Sequence, residues 1–384
     1  MRKEKVENKR IEKLREYIKD NSCSAEELEV RFSKSPVLYQ GYLALSGEWK
    51  RRFQEYMSGV KTLPLTYDPF FKKMFSPEIH SERLSDFISS ILGEKVKVKC
   101  MLPNENRIVN EASLLIMDML VEMEDGSLVN IEIQKVPYTF PGERITCYLA
   151  DSMTRQYAKV KTEKGNYFTY KDINKVVTIV IYENSPAICK AENLKDKYIH
   201  RGKMKFDTGL EMEMYQECYI IALDEFKKSR YYLGNRSEKE KNNVESKLLK
   251  SRTDINGWLS LLVTNDVEKI EKNIEKYPWL EEIYEEMAEY LVKPEEVLNM
   301  YSEALKILDE NTVKYMVDEF QGEIKELKEK NVKLEEKIID FERKQLEADV
   351  NIIINMKNNG FTIEQIAIAT GKTEDEVKRV IEQN

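Results

Sequence analysis

Two carboxylates stand where strand interiors normally carry valine or leucine. In the run LLIMDMLVEMEDGSLVNIEIQK, residues 114–135, Asp118 lies between Met117 and Met119, and Glu132 lies between Ile131 and Ile133. Acids in such surroundings are costly unless something pairs with them. The two halves of the run are separated by Glu124-Asp125-Gly126-Ser127, and the loop length decides which side chains share a face. A two-residue Asp125-Gly126 turn pairs Glu124 with Ser127, sets Asp118 opposite Ile133 and leaves Glu132 on the other face. A three-residue loop, Glu124 to Gly126, closed by a left-handed glycine, pairs Met123 with Ser127 and sets Asp118 opposite Glu132. The second register is preferred, because it gathers Asp118, Glu132 and Gln134 on one face and sends Ile131, Ile133 and Lys135 to the other. Two facing carboxylates suit a hard divalent cation held by oxygen, with the carbonyl of Ile133 available as a third ligand. Such an ion activates water and neutralises charge on a phosphoryl group. Acid pairs on hairpins usually face solvent; the apolar neighbours on both strands argue against that here.

Composition narrows the alternatives. Of 384 residues, 34% are charged and 41% hydrophobic, enough for a sizeable core and more than one domain. Apolar runs such as KVVTIVIY are far shorter than the roughly 18 residues of a membrane helix, so no span is expected. The start, MRKEKVENKRIEKLREYIKD, is charged throughout and lacks the apolar core of a secretory signal, which predicts a cytoplasmic location. Cys23, Cys100, Cys147, Cys189 and Cys218 form no CxxC pair, and His80 and His200 are the only histidines. Neither a zinc site nor a disulfide framework is indicated. Any metal would therefore have carboxylate ligands, which points to magnesium or manganese. The net charge of −8 argues against a uniformly basic coat, but binding follows local charge, and WKRRF at 49–53 is the densest basic and aromatic spot. A solvated helix face reads the same way.

The elements that position the acids follow from periodicity. Residues 1–61 read as a helical extension, broken at DNSCSAEE, where Ser24 and Glu27 have capping-box spacing. Residues 62–230 read as the core. LTYDPFFKKMF opens it, with Asp68 as N-cap, Pro69 at the first helical position and Phe70, Phe71, Met74 and Phe75 at helical spacing. A second helix, SERLSDFISSIL, ends at Gly93; KVKVKCML then alternates as a strand. After the hairpin come a helix, ERITCYLADSMTRQYAKV, with Arg144, Tyr148, Arg155 and Tyr157, a buried strand, KVVTIVIYE, and a further strand in ECYIIALDEF. The order predicts an α/β fold, a mixed sheet flanked by helices.

Residues 231–310 read as a helical region, and the charged stretch from 227 to 251 as a loop or solvent-facing helix. Residues 311–350 read as a coiled coil with the seam Val313, Val317, Phe320, Ile324, Leu327, Asn331, Leu334, Ile338 and Phe341. An asparagine in the seam selects a parallel dimer, and an intramolecular hairpin also tolerates it; self-association is weighed above the hairpin. Residues 351–384 read as two short helices around Gly371, the second opened by a Thr373 to Glu376 capping box. That is the shape of a helix-turn-helix. Its second helix, EDEVKRVIEQ, carries acids near its start, so a small helical cap on the coiled coil is at least as good a reading.

YDPFFKKMF, the aspartate of LLIMDML, NIEIQ, ERITCYLADSMTRQY and VVTIVIY, in this order and spacing, together resemble the PD-(D/E)XK nuclease family transposases, also known as recombination-promoting nucleases (Rpn). The resemblance covers roughly residues 62 to 300 and the closing tail. It implies a restriction-endonuclease-like core of αβββαβ order and a Mg²⁺- or Mn²⁺-dependent DNA endonuclease linked to recombination or transposition. By that resemblance Asp118 is the metal-binding aspartate and Glu132 the acid of the (D/E)XK motif. Gln134 takes the lysine position, a family trait, and would orient water or phosphate, since glutamine supplies neither a cation nor a base. Lys135 is adjacent but on the wrong face. Arg144 is the candidate for transition-state stabilisation, and Tyr148, one turn on, positions a water or phosphate or simply packs. Asp68 matches the acid that the first helix often contributes. Relatives often place a lysine before the aspartate, where this chain has EASLL. The rival readings are a degenerate nuclease fold that binds nucleic acid without cutting, and an assembly protein whose coiled coil is the functional part.

Overall fold

The computed structural model describes residues 2–45, 47–102, 118–135, 137, 140–232 and 252–383, with the side chains of 2–9 and of several residues between 310 and 326 excepted. The expected strand residues 114–117, the EASLL segment and most of the charged stretch, 233–251, lie outside the described residues. Two compact units divide the chain, Met1–Val313 and Lys314–Asn384.

The first unit begins with four helices, α1 (Arg2–Asn21), α2 (Ala25–Phe32), α3 (Pro36–Ala44) and α4 (Gly47–Met57). The capping box forms as expected: the Ser24 hydroxyl accepts from the Glu27 amide, and the Glu27 carboxylate accepts from the Ser24 amide. Trp49, Phe53, Tyr56 and Met57 recur at helical spacing on α4, which buries that face. They join a hydrophobic core that also contains α5 (Asp68–Phe75), α6 (Pro77–Leu92), one face of the sheet and the helices after residue 255. The buried Tyr56 hydroxyl donates to the Met287 carbonyl at 2.6 Å, which satisfies that polar atom within the core. Gly93 adopts the left-handed conformation that ends α6.

Six strands form one mixed sheet: β1 (Val98–Met101), β2 (Met119–Met123), β3 (Leu128–Gln134), β4 (Val176–Tyr182), β5 (Ile199–Lys203) and β6 (Gln216–Ala222). Their order across the sheet is β1-β2-β3-β4-β6-β5. β3, β4 and β6 run parallel, while β1 and β2 on one side and β5 on the other are antiparallel to their neighbours. Every residue of β4 is buried, as its run of apolar residues interrupted only by Thr178 suits a strand covered on both faces. α7 (Pro141–Lys164) supplies the second cover: its Ile145 and Tyr148 pack over Leu120, Leu128, Val176, Val180 and Tyr182.

β5 is an element that periodicity did not reveal. Its sequence, IHRGK, has little apolar alternation, and it is a strand because it pairs with the edge of β6. Gly202 permits the approach, since a Cβ there would stand 2.5 Å from the Cys218 sulfur. The expected strand within ECYIIALDEF is β6, followed directly by α8 (Leu223–Lys228). Then come α9 (Ile255–Val263), α10 (Val267–Lys276), α11 (Glu281–Glu289) and α12 (Pro294–Asn358), in agreement with the helical reading from Trp258 onward.

In the second unit, α13 (Ile363–Thr370) and α14 (Glu374–Gln383) turn at a left-handed Gly371 and fold against the end of α12. Ile353, Ile366, Ala367 and Val377 form their small shared core. Thr373 and Glu376 make the expected reciprocal capping bonds.

Candidate active site

The hairpin adopts the three-residue loop. Met123 N donates to Ser127 O at 2.9 Å, Gly126 holds φ at +84°, and Met119 pairs with Ile131, so the same register sets Asp118 opposite Glu132. The rival two-residue turn is excluded. Gly126 suits this corner by its positive φ, and a Cβ there would displace the end of the Asn174 side chain.

The two acids are tied to each other through the backbone. Asp118 Oδ2 accepts from the Ile133 amide at 2.8 Å, and the Asp118 amide donates to Glu132 Oε1 at 3.2 Å. Asn130 Nδ2 donates to the same Oε1 at 3.0 Å, and Gln134 Nε2 to Oε2 at 3.3 Å. The Tyr148 hydroxyl, beside Glu132, favours the charged form of its carboxyl. Strand alternation thus gathers Asn130, Glu132 and Gln134 on the face covered by α7, while Ile131 and Ile133 face the main core.

Burial acts on these acids more strongly than any partner. Glu132, 1% exposed, has its carboxyl pushed well above the usual range, first by loss of water and then by the charge of Asp118. Asp118 is pushed up to about 7, first by burial and then by the charge of Asp68, against the pull of the Ile133 amide, Lys72 and Arg144. Burial and Glu132 likewise push the Tyr148 hydroxyl up. Without a cation both carboxyls hold their protons more tightly than ordinary carboxylates do.

Each expected site residue can now be placed. Arg144 donates to the Tyr148 hydroxyl at 2.8 Å, and its charge reaches Asp118, so α7 brings it to the acids. Lys135 is on the far side, as expected: it pairs with Glu183, donates to Thr66 at 2.6 Å and lies over the Tyr67 ring. The N-cap reading of Asp68 needs correction. Tyr67 occupies the cap position, α5 starts at Asp68, and the Asp68 carboxylate pairs with Lys72 at 2.8 Å instead of bonding the helix amides. Burial raises the Asp68 carboxyl against the pull of that lysine. Lys72 is the residue that motif reading missed. An Asp and a Lys four apart on a helix are visible in sequence, but their nearness to Asp118 depends on how α5 docks.

Among the described residues, no three His, Cys, Asp or Glu side chains converge as a ready metal cage. The donors that do converge are all oxygen, the carboxylates of Asp118 and Glu132, each raised first by burial and then by the charge of a neighbouring aspartate, and that set fits a hard divalent cation completing its shell with backbone, water and phosphate oxygens.

A family model described as PD-(D/E)XK nuclease family transposase matches residues 65–317. The chain belongs to this family. Its six-stranded mixed sheet flanked by helices is consistent with the PD-(D/E)XK fold, and the succession α5 to β4 contains the expected αβββαβ order, with α6 between its first helix and first strand. Membership supports a role related to nuclease or transposition chemistry, implies DNA as the substrate class, and brings the family's usual use of divalent ions. No curated protein and no solved structure matches the chain. Among the described residues, no helix is long and apolar enough to cross a membrane.

Proposed function

We propose that the chain is a DNA endonuclease that hydrolyses phosphodiester bonds with Mg²⁺ or Mn²⁺ in recombination or transposition, in the cytoplasm. The observation that carries this reading is the facing pair Asp118 and Glu132, linked by the Asp118 amide donating to Glu132 and the Ile133 amide donating to Asp118. Asp118, Glu132 and the Ile133 carbonyl would hold the ion. When bound, a divalent ion supplies positive charge to the phosphate and makes a nearby water easier to deprotonate. Gln134, on the same face, orients water or phosphate through its amide. Arg144 and Lys72 counter the charge that develops on the phosphoryl oxygens, the part that the motif's missing lysine leaves open. Tyr148 fixes the Arg144 guanidinium and the Glu132 carboxylate relative to each other. In this reading two copies of the chain associate as a homodimer through residues 311–350.

Cleavage of supercoiled plasmid with Mg²⁺, Mn²⁺ or EDTA, run beside folded Asp118→Ala, tests this reading. Nicking that requires metal and is lost in the variant is the expected outcome. Folded protein that binds Mn²⁺ and DNA but cuts with neither ion would replace the enzyme by a nucleic-acid-binding remnant. Cleavage surviving Asp118→Ala would remove the acid pair from the reaction.

A further inference from the structure

Resting on the homodimer reading, we propose that residues 317–341 pair with the same segment of a second copy as a parallel, in-register, two-stranded coiled coil, selected by complementary charges beside its seam. α12 is one continuous helix of 65 residues. Along it Val317, Phe320, Ile324, Leu327, Leu334, Ile338 and Phe341, with Asn331 between Leu327 and Leu334, follow alternating steps of three and four, and these apolar residues lie between 47% and 62% exposed. Such a stripe of large apolar side chains on one helix face asks for a partner of the same periodicity.

The residue types choose the geometry. Numbering the heptad from Val317 as a, the a positions hold Val317, Ile324, Asn331 and Ile338, and the d positions hold Phe320, Leu327, Leu334 and Phe341. β-branched residues at a with leucine at d favour two parallel strands, and one asparagine at a holds the register. In a parallel pair each g residue faces the e residue five positions on in the partner. Lys330 then meets Glu335 and Lys337 meets Glu342, opposite charges in both cases. In an antiparallel pair g would face g and e would face e. Near the middle of the segment Lys330 would then meet its own copy, a like-charge contact that the parallel pair avoids. Val332, Ile339 and Leu346 widen the apolar stripe on the b side of the seam, so stoichiometry belongs in the test.

The test combines association, charge reversal and a register-specific cross-link in the full-length chain. Sedimentation should give a dimer. Lys330→Glu with Lys337→Glu should weaken it by on the order of tenfold or more, and adding Glu335→Lys with Glu342→Lys in the same chain should restore it. Under mild oxidation Phe341→Cys should yield a disulfide joining position 341 to itself, identified by mass spectrometry against the wild-type background of five native cysteines. A wild-type monomer would overturn the homodimer reading and the geometry with it. A dimer indifferent to charge reversal, or lacking the 341 self-link, would overturn the parallel register alone. A trimer or tetramer would overturn the two-stranded coil while leaving self-association in place.

Discussion

At the scale of single residues, Asp118 is a cost to the fold in the absence of metal. Its carboxyl rises from an ordinary 3.8 to about 7, so the folded state holds the proton more tightly than the unfolded chain does. The sign follows directly: the favourable contribution is fully present below the unfolded value and is lost as pH climbs from about 4 to about 7. Linkage sets an upper bound of about 4 kcal/mol, reduced because the partly exposed Asp118 is screened by water. Asp118→Asn keeps an acceptor for the Ile133 amide and removes the charge. In EDTA it should therefore be more stable than wild type at pH 8 and nearly equal at pH 4, as read by urea denaturation. A variant less stable at both values would mean that the carboxylate supports the fold.

The hairpin is the element on which the site depends. Gly126 sets the three-residue loop, the loop sets the register, and the register brings Asp118 opposite Glu132. Gly126→Ala forces a side chain into the left-handed region and against Asn174. The left-handed conformation alone costs about 1–2 kcal/mol for a residue with a Cβ. Thermal or urea unfolding should register a loss of that size, and cleavage should fall further than the remaining folded fraction explains. Normal cleavage by the folded fraction would show that the acids tolerate a slipped loop. α5 illustrates the limits of local reading. Its apolar face was legible from the spacing of Phe70, Phe71, Met74 and Phe75, yet Asp68 turned out to pair with Lys72 rather than cap the helix.

On the scale of the whole molecule, the first unit carries the acid pair and its own large core, while the second carries most of the exposed heptad seam. The N-terminal helices share that core with the sheet and with α9 to α12, so Phe32, Phe53 and Tyr301 pack together across a long stretch of sequence. A chain ending at Val313 should keep a cooperative unfolding transition and metal-dependent nicking, and sediment as a monomer. Folded but inactive truncated protein would favour the reading in which the coiled coil, not the acid pair, is the functional part.

Local chemistry alone determined much of this protein. Apolar periodicity located α5, α7 and β4, capping residues marked α2 and α14, and Gly126 after two polar residues favoured the correct hairpin, because each of these depends on neighbours within a few residues. The heptad seam was legible for the same reason. Only the tertiary structure decided the remainder. β5 exists because β6 offers an unpaired edge to a segment with little strand character of its own. Lys72 and Arg144 reach the acids because α5 and α7 dock beside them, bringing charges from distant parts of the chain into one poorly solvated site. That shared burial, which no single stretch of sequence encodes, is what raises the carboxyls.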